Sequence, residues 1–369
     1  MPEPQNPCLT STLMGWYKQH KRSLPWRDDP EPYNIWVSEI MLQQTRVEAV
    51  VPLYLKFMER FPRVDDLADA DEDTVLSVWQ GLGYYSRARR LHAAARTIVH
   101  AHGGALPEAK DQLLQLPGIG PYTAAAIASM AFGRPEVALD GNLLRVGARL
   151  FAITEDITLP RTKRQLEELL AAYLPLENPG DFNQALMDLG SGICVPRRPR
   201  CDQCPLVTFC AAHRQGITAE LPKKSPKKPP ISQTVRVMYI ETSEHILLRQ
   251  RNHGGFLQGM WEMPWFSVTT TADTDATLVA AERPVAPEYA HLEAVLGLGL
   301  PHEIRTAEYV FSHRHWHMNI YCYTVEQITP AAAPAEGTTY RWHRKKDLHR
   351  AALPTVFQRI LPSSLRSRG

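Results

Sequence analysis

The chain has 369 residues, of which 44% are hydrophobic and 22% charged, a composition typical of a folded globular protein with two or three domains. Its net charge of +2 does not by itself indicate a nucleic-acid partner. No apolar run is long enough to cross a bilayer, and the first residues lack the pattern of a secretory signal. We therefore expect a protein of the reducing cytoplasm.

Everything before residue 215 is predicted to be helical, because apolar residues recur there at helical spacing and nowhere alternate as in a strand. The predicted helices cover 10–23, 33–54 with a bend at Pro52, the later part of 61–80, 86–102, 111–115, an alanine-rich segment through Met130, 143–152, 162–174 and 181–192. This pattern predicts an all-α domain over residues 1–221.

The segment LPGIGPYT (116–123) lies between two predicted helices and has glycines at alternate positions. Gly118 and Gly120 would let the backbone approach a ligand closely, and the free N–H groups at the start of the next helix are suited to a phosphate. This is the helix–hairpin–helix pattern of a DNA-backbone contact. The turn alone also fits a plain helical hairpin.

Four cysteines lie close together, Cys194, Cys201, Cys204 and Cys210, with six, two and five residues between them. Four thiolates at one centre bind either zinc or an iron–sulfur cluster. Zinc sites usually show two short pairs, whereas only one pair is short here. The spacing therefore favours a [4Fe–4S] cluster, with zinc as the alternative. The arginines of the first gap, 195–200, would then form a basic face towards phosphate.

The segment Pro222–Pro230 has four prolines and four lysines, which predicts an extended linker whose lysines could contact phosphate. Beyond it, over 231–369, strand patterns appear near 235–239, 246–248, 308–312 and 318–324, and helical patterns at 275–282 and 289–296. We predict a second domain of α+β type. The tract His313–His317 fits an exposed polar turn; histidine-rich tracts also bind metals, but no acid or thiol lies close to this one in sequence.

Two carboxylates are candidates for chemistry, although each also has a structural reading. Glu39 lies among large apolar residues, where burial would raise its pKa and keep it protonated near neutral pH; it could instead be a surface acid. Asp140 precedes a predicted helix, whose dipole would keep it ionised; it could be only a helix cap. One protonated and one ionised carboxylate suit acid-catalysed cleavage of a glycosidic bond.

Long segments of the chain resemble the helix–hairpin–helix DNA glycosylases with an iron–sulfur cluster, and within them the adenine DNA glycosylase (MutY) family. The matching segments are LPWR (24–27), VSEIMLQQTRV (37–47), GLGYYSRARRL (81–91), LPGIGPYT (116–123), LDGNLLRV (139–146), FNQALMDLG (182–190) and the cysteine series. The resemblance implies a monomeric bacterial enzyme of base-excision repair. It would act on double-stranded DNA, remove adenine mispaired with 8-oxoguanine or guanine, and leave an abasic site.

The resemblance also implies roles for individual residues. Glu39 matches the acid that protonates the adenine leaving group, and Asp140 matches the carboxylate that stabilises the sugar cation or its covalent adduct. Tyr122 and Asn142 match residues that position that carboxylate. The residues that match substrate contacts are Arg22, Leu24, Trp26, Arg27 and Gln184 for the adenine pocket, Gln44, Thr45, Leu82 and Tyr84 for the duplex beside the lesion, and Phe311, Ser312 and His313 for 8-oxoguanine.

The second domain resembles the Nudix-like module of the same family. A catalytic Nudix domain needs an acidic helix that holds divalent metal. Residues 255–300 carry only scattered acids, such as Glu262, Glu282 and Glu293. We therefore do not predict nucleotide hydrolysis.

Two other functions compete with this reading. Endonuclease III-like enzymes have a lysine at the place of Tyr122, which forms a Schiff base and cuts the strand; a phenol cannot form one, so we predict a monofunctional glycosylase. A glycosylase-lyase for oxidised pyrimidines is the nearest alternative. A non-catalytic, cluster-bearing protein that binds DNA or senses redox state would explain the hairpin and the cysteines, but would leave Glu39 and Asp140 without a role.

Overall fold

The computed structural model describes residues 7–226, 229–251, 259–268, 287–311, 313–328, 338–351 and 353–365. The chain divides into two compact units, Met1–Pro226 and Lys227–Gly369. Among the described residues, no helix has the length and apolar character needed to span a membrane.

The described part of the first unit is helical, as predicted. Its helices are α1 (Pro7–His20), α2 (Pro25–Asp28), α3 (Pro32–Leu42), α4 (Val47–Arg60), α5 (Val64–Asp69), α6 (Glu72–Val78), α7 (Ser86–His102), α8 (Lys110–Leu113), α9 (Pro121–Phe132), α10 (Gly141–Leu150), α11 (Pro160–Ala171), α12 (Pro179–Gly192) and α13 (Ala211–Arg214). Helices α3, α9, α10 and α12 form its centre: α9 contacts both α3 and α12, and α12 contacts α10.

The long helix predicted over 33–54 is in fact two helices, α3 and α4, separated by residues 43–46. Gln44 has φ 58° in this turn, a left-handed conformation that cannot continue a right-handed helix. Pro52, the predicted bend, lies inside α4 and does not end it. The break matters because it brings Gln44 and Thr45 to a turn directly after the buried helix that carries Glu39.

The described part of the second unit is built on one mixed sheet. Its strands are β1 (Ile231–Glu241), β2 (His245–Arg251), β3 (Trp261–Glu262), β4 (Trp265–Ser267), β5 (Glu303–Val310), β6 (Arg314–Thr324) and β7 (Thr338–Arg344). The main order is β3-β2-β1-β6-β5, with β4 paired to β1 and β7 to β2. Only the β1–β6 pair is parallel among these described pairings.

Both faces of this sheet carry apolar residues, as expected for an α+β domain. On one face Val237, Trp316 and Met318 pack in the same core as Phe357 of α15 (Thr355–Ile360). On the other face Met238 and Ile240 share a core with a buried leucine of α14 (Pro287–Leu296). The predicted fold class is confirmed in both units. The helix predicted over 275–282 lies outside the described residues.

The histidine tract is not a turn, contrary to prediction. Strand β6 begins at Arg314, so the tract belongs to the strand except for His313. Trp316 is fully buried, while its neighbours His315 and His317 are half-buried. Alternation of this kind is what a strand with one face in the core produces.

Part of the predicted linker is attached to the first unit. The amide of Ile157 donates to the carbonyl of Lys223 at 3.1 Å, and the amide of Ser225 donates to Asp156 at 2.9 Å. The boundary between the units therefore falls later than residue 222, between Pro226 and Lys227.

Candidate active site

Glu39 lies on α3, a helix that is buried along most of its length, and only 5% of the residue is exposed. Burial raises the pKa of Glu39 to about 7, because the carboxylate form loses its hydration. A hydrogen bond from the hydroxyl of Tyr122, 2.6 Å from Oε2, favours the ionised form but only partly offsets this effect. Glu39 can therefore hold a proton near neutral pH.

Tyr122 contacts a different carboxylate from the one implied by the resemblance. Its hydroxyl donates to Glu39, and no described hydrogen bond joins it to Asp140. Burial is the main reason that the pKa of Tyr122 lies well above its ordinary value, and the nearby charges of Glu39 and Asp140 raise it further. Tyr122 is thus a neutral donor between the two acids. The side chain that Tyr122 contacts in this structure is thus that of Glu39.

Asp140 is the N-cap of α10, as the structural interpretation of this residue predicted. Its carboxylate accepts from the amides of Asn142 and Leu143 at 2.8 and 2.7 Å, and from the side chain of Asn142 at 2.7 Å. Burial nevertheless raises the pKa of Asp140, outweighing these bonds and the charge of Arg145. The helix terminus alone, which the sequence argument used, does not set this pKa.

Asn142 is itself held in place from two sides. Arg145 donates to Oδ1 of Asn142 at 2.8 Å, to the carbonyl of Gly190 at 2.7 Å and to the carbonyl of Cys194 at 2.7 Å. A Cβ added to Gly190 would lie 2.7 Å from Cβ of Asn142, so helix α12 approaches α10 closely only because a glycine is present. One arginine thus connects the cysteine loop to the side chain that holds Asp140.

Two of the residues proposed for the adenine pocket, Arg22 and Arg27, meet around an acid that the sequence argument did not single out. Arg22 donates from Nε to Asp188 at 2.8 Å, and Arg27 donates from Nη1 to Asp188 at 2.8 Å. Burial acts to raise the pKa of Asp188, but the two arginines outweigh it and lower that pKa. The signal for Asp188 was present, since a charged residue stands among apolar ones in FNQALMDLG.

The other proposed pocket residues differ in exposure. Leu24 and Trp26 are buried, and the Trp26 ring packs edge-on against Tyr54 with centroids 5.1 Å apart. Gln184 is half-buried on α12. The structure therefore gives Leu24 and Trp26 a packing role.

The four residues proposed to enter the duplex lie in two turns, at 43–46 and 81–85. Gln44 and Tyr84 are exposed and both have positive φ, 58° and 45°, whereas Leu82 is buried and Thr45 half-buried. A positive φ at a non-glycine residue is strained and is common at functional sites.

Arg87, which the sequence argument missed, joins these two turns. Its Nη1 donates to the carbonyls of Ile40, Met41 and Gln43, each at 2.8 Å. Its Nη2 donates to the carbonyl of Leu82 at 3.0 Å. Burial lowers the pKa of Arg87 to about 10, so it stays charged at neutral pH. The guanidinium satisfies carbonyls at the end of α3 that a helix leaves without partners.

Replacing Arg87 by methionine is expected to lower the free energy of unfolding by about 3 kcal/mol, because several buried carbonyls lose a charged donor. Chemical denaturation monitored by circular dichroism measures this change. Arg46, an exposed arginine in the 43–46 turn, is the matched control, and Arg46→Met should change stability by less than about 0.5 kcal/mol. Equal effects of the two substitutions would contradict the role given to Arg87.

The two hairpin glycines, Gly118 and Gly120, differ in how strictly their surroundings require a glycine. Gly118 has φ 82°, and a Cβ there would lie 2.7 Å from Cβ of Arg90. Gly120 caps α9 with φ −95°, and a Cβ there would meet no atom within 4 Å. Gly118 is therefore required by the fold, whereas the space at Gly120 is open.

The two glycines form a matched pair for substitution. Gly118→Ala should cost about 1–3 kcal/mol of stability, since alanine must adopt a strained backbone and displace Arg90. Gly120→Ala should leave stability within about 0.5 kcal/mol of the wild type. Thermal unfolding of both variants measures the difference; a Gly120→Ala loss as large as that of Gly118→Ala would be incompatible with this geometry.

All four loop cysteines line one cavity, together with Arg149, Ile193 and neighbouring residues, and none is in a disulfide. Burial raises the pKa of Cys204 to about 12, and it also raises the pKa values of Cys201 and Cys210. Such thiols become thiolates only beside a positive centre. The donor set, four sulfurs facing one space, fits a soft metal centre.

Arg149 fixes the first part of this loop and was also missed by the sequence argument. It is 2% exposed. Its guanidinium donates to the carbonyls of Val195, Pro196 and Leu221, at 2.8, 3.0 and 2.9 Å, and lies 3.3 Å from Sγ of Cys194. The loop is therefore held by a buried charge from α10.

In the second unit, Phe311 packs against Tyr309 and Trp316, with ring centroids 4.6 and 5.1 Å apart. His313 is exposed, and its carbonyl accepts from the amide of Ile231 at 3.1 Å. Ser312 lies outside the described residues.

One of the scattered acids of the second unit, Glu262, is fully buried and pairs with Arg249 at 2.9 Å, so it is committed to an internal ion pair.

Comparison with known proteins gives a consistent result for both units. Residues 37–172 match the HhH-GPD superfamily of base excision DNA repair proteins, and residues 236–363 match the NUDIX domain. The adenine DNA glycosylase of Homo sapiens is 34% identical over 413 residues, covering 96% of this chain and 73% of the human protein. The chain belongs to the adenine DNA glycosylase family.

Two further relatives extend this result. The adenine DNA glycosylase of Buchnera aphidicola is 35% identical over 257 residues, covering 69% of this chain and 73% of that protein. The solved structure of a thermostable thymine-DNA glycosylase is 31% identical and superposes with a TM-score of 0.52, over 56% of this chain and 95% of that one. The name of this structural neighbour indicates a different base, so a test of the substrate must also include thymine.

Proposed function

We propose that this member of the adenine DNA glycosylase family removes adenine opposite 8-oxoguanine or guanine in double-stranded DNA and leaves an abasic site. The observation that carries the proposal is the buried acid Glu39, which has a pKa of about 7 and accepts from Tyr122, close to a second buried acid, Asp140. The enzyme would act as a monomer in the bacterial cytoplasm.

The chemistry follows from the environments of the two acids. Glu39, protonated because it is buried, donates its proton to the adenine as the glycosidic bond breaks. Asp140 stabilises the positive charge that develops on the sugar. Asn142 and the amide of Leu143 hold its carboxylate in one orientation. Tyr122 remains neutral and can orient Glu39.

The remaining polar groups support base extrusion. Arg22 and Arg27 are fixed by Asp188, so they present a prearranged polar wall to an extruded base. Gln44 and Tyr84 are exposed on turns that Arg87 holds together, and they could fill the space that the base leaves. Gly118, Gly120 and the start of α9 would contact a phosphate. Phe311, Ser312 and His313 would contact 8-oxoguanine.

Cys194, Cys201, Cys204 and Cys210 would hold a [4Fe–4S] cluster. When bound, it supplies a structural centre that neutralises four thiolates and fixes the loop. The reaction steps at Glu39 and Asp140 do not pass through it. Brown protein with about four irons per chain is the expected finding, whereas colourless protein with one zinc would contradict this assignment.

Base release from defined duplexes tests the proposed substrate. Four duplexes are compared, carrying adenine opposite 8-oxoguanine, adenine opposite guanine, thymine in a mismatch, or an oxidised pyrimidine; alkali then cuts each abasic site. Release from only the two adenine duplexes is expected. Release of thymine would favour the function of the structural neighbour, and release of the oxidised pyrimidine would favour the glycosylase-lyase.

Borohydride trapping tests whether the enzyme is monofunctional. A Schiff base needs an amine, and the hairpin offers the phenol of Tyr122 in its place. We expect no covalent protein–DNA adduct during adenine release. Strong trapping by the wild-type protein would overturn this part of the proposal.

A further inference from the structure

Strands β5 and β6 bring three potential metal ligands to one face of the sheet. Glu308 pairs directly with His317 across the two strands. His315 lies two residues before His317 and so projects from the same face. The intervening Trp316 points into the core of the second unit. The cluster of Glu308, His315 and His317 is therefore held by a strand whose opposite face is buried.

The distances within this cluster fit a metal ion. The three ligand atoms all lie within 4.8 Å of one another. Nδ1 of His317 is 3.1 Å from Oε1 of Glu308, and Nε2 of His315 is 3.3 Å from Oε2. In a tetrahedral site with zinc–nitrogen bonds of about 2.0–2.1 Å, the ligand atoms are about 3.4 Å apart. The observed spacing requires only small side-chain movements.

A further contact fixes which nitrogen of His317 faces the cluster. Nε2 of His317 lies 3.0 Å from the hydroxyl of Ser232 on β1, which leaves Nδ1 directed at Glu308. A hydrogen bond to the second ring nitrogen is typical of histidines that bind metal, because it sets the tautomer and the ring orientation. Glu308 is 66% exposed, so water can complete the coordination.

We propose that Glu308, His315 and His317 bind one divalent transition-metal ion of the zinc class. Two imidazoles with one carboxylate suit zinc, nickel or copper, whereas calcium and magnesium prefer sites made of oxygen ligands. The site is separate from the four cysteines, which lie in the first unit. Metal binding at this site involves no catalytic step, so this proposal can be tested independently of the proposed function.

A bound ion would join β5 to β6 next to the turn that carries Phe311 and His313. Because the ion binds the folded pairing of the two strands and not the separated ones, it should stabilise the second unit. A gain in unfolding temperature on addition of zinc is therefore expected.

Zinc binding to the full-length protein tests this site. Protein of measured iron content is dialysed against zinc and washed, and zinc and iron are counted again. The variants are His315→Gln with His317→Gln, and Glu308→Gln; His302→Gln, at an exposed histidine just before β5, is the matched control. Wild type and His302→Gln should hold one more zinc per chain than the double variant, with unchanged iron.

X-ray absorption at the zinc edge separates this site from the cysteine loop. Nitrogen and oxygen neighbours are expected. Equal zinc content in the wild type and the double variant, or neighbours that are all sulfur, would overturn the proposal. Should the double variant unfold, Glu308→Gln provides the second measurement, because its amide preserves the shape and should still weaken zinc binding at least about tenfold; unaltered affinity in that variant would also overturn it.

Discussion

Glu39→Gln is expected to lower the rate of adenine release by about 10²–10⁴-fold, which is the usual contribution of a positioned general acid. The amide keeps the shape of the side chain but cannot supply the proton. Single-turnover release from the duplex with adenine opposite 8-oxoguanine measures the effect. Glu48→Gln, which removes an exposed acid on α4, should leave the rate unchanged.

The pH dependence of the wild-type rate provides an independent check on the same residue. Burial raises the pKa of Glu39 to about 7, so the protonated acid is present below that pH and is lost as the pH rises through it. The rate should fall over this range, and the residual rate of Glu39→Gln should not. A wild-type rate that stays level from pH 6 to 8 would argue against Glu39 as the proton donor.

The same shift has a consequence for stability. At pH values between the ordinary pKa of the carboxyl in the unfolded chain and the value of about 7 in the folded protein, Glu39 is protonated in the folded protein and ionised in the unfolded chain. The contribution of protonated Glu39 is therefore fully present below the unfolded pKa and decreases as the pH rises through the folded one. Glu39→Gln removes this dependence, so the variant should gain stability relative to the wild type above pH 7.

Arg149→Met is expected to lower the free energy of unfolding by about 3 kcal/mol or more, because buried carbonyls on both sides of the guanidinium lose a charged donor. The cysteine loop should lose its fixed conformation, and the purified protein should carry less iron. Denaturation and metal analysis measure the two effects.

An exposed arginine of the same loop provides the control for Arg149. Arg197 is exposed, and Arg197→Met should change neither the iron content nor the stability by more than about 0.5 kcal/mol. Full iron content and wild-type stability in Arg149→Met would show that the loop is held by something other than this buried charge.

Residues that stand in short, recognisable sequence motifs could be predicted from the sequence. Glu39, Asp140 and the cysteines stand within recognisable local patterns, and the helical and mixed units follow from two different hydrophobic periods. The end of helix α7 at His102 was predicted correctly because glycines follow it directly.

The residues that act through long-range contacts were not accessible. Arg87 and Arg149 bind groups more than 40 residues away in sequence, and no local pattern indicates which arginine will turn inward. Glu308 came close to the histidines only through the register of β5 and β6. The partner of Tyr122 depended on how α3 and α9 pack, which periodicity does not determine.

The attachment of residues 223–225 to the first unit affects how the two units should be separated. A fragment ending at residue 221 would lose both the Lys223 carbonyl that accepts from Ile157 and the Ser225 amide bound to Asp156. A cut at the predicted start of the linker would therefore remove these partners of the Ile157 amide and the Asp156 carboxylate. A fragment ending at Pro226 keeps these contacts and is the one to choose for isolating that half.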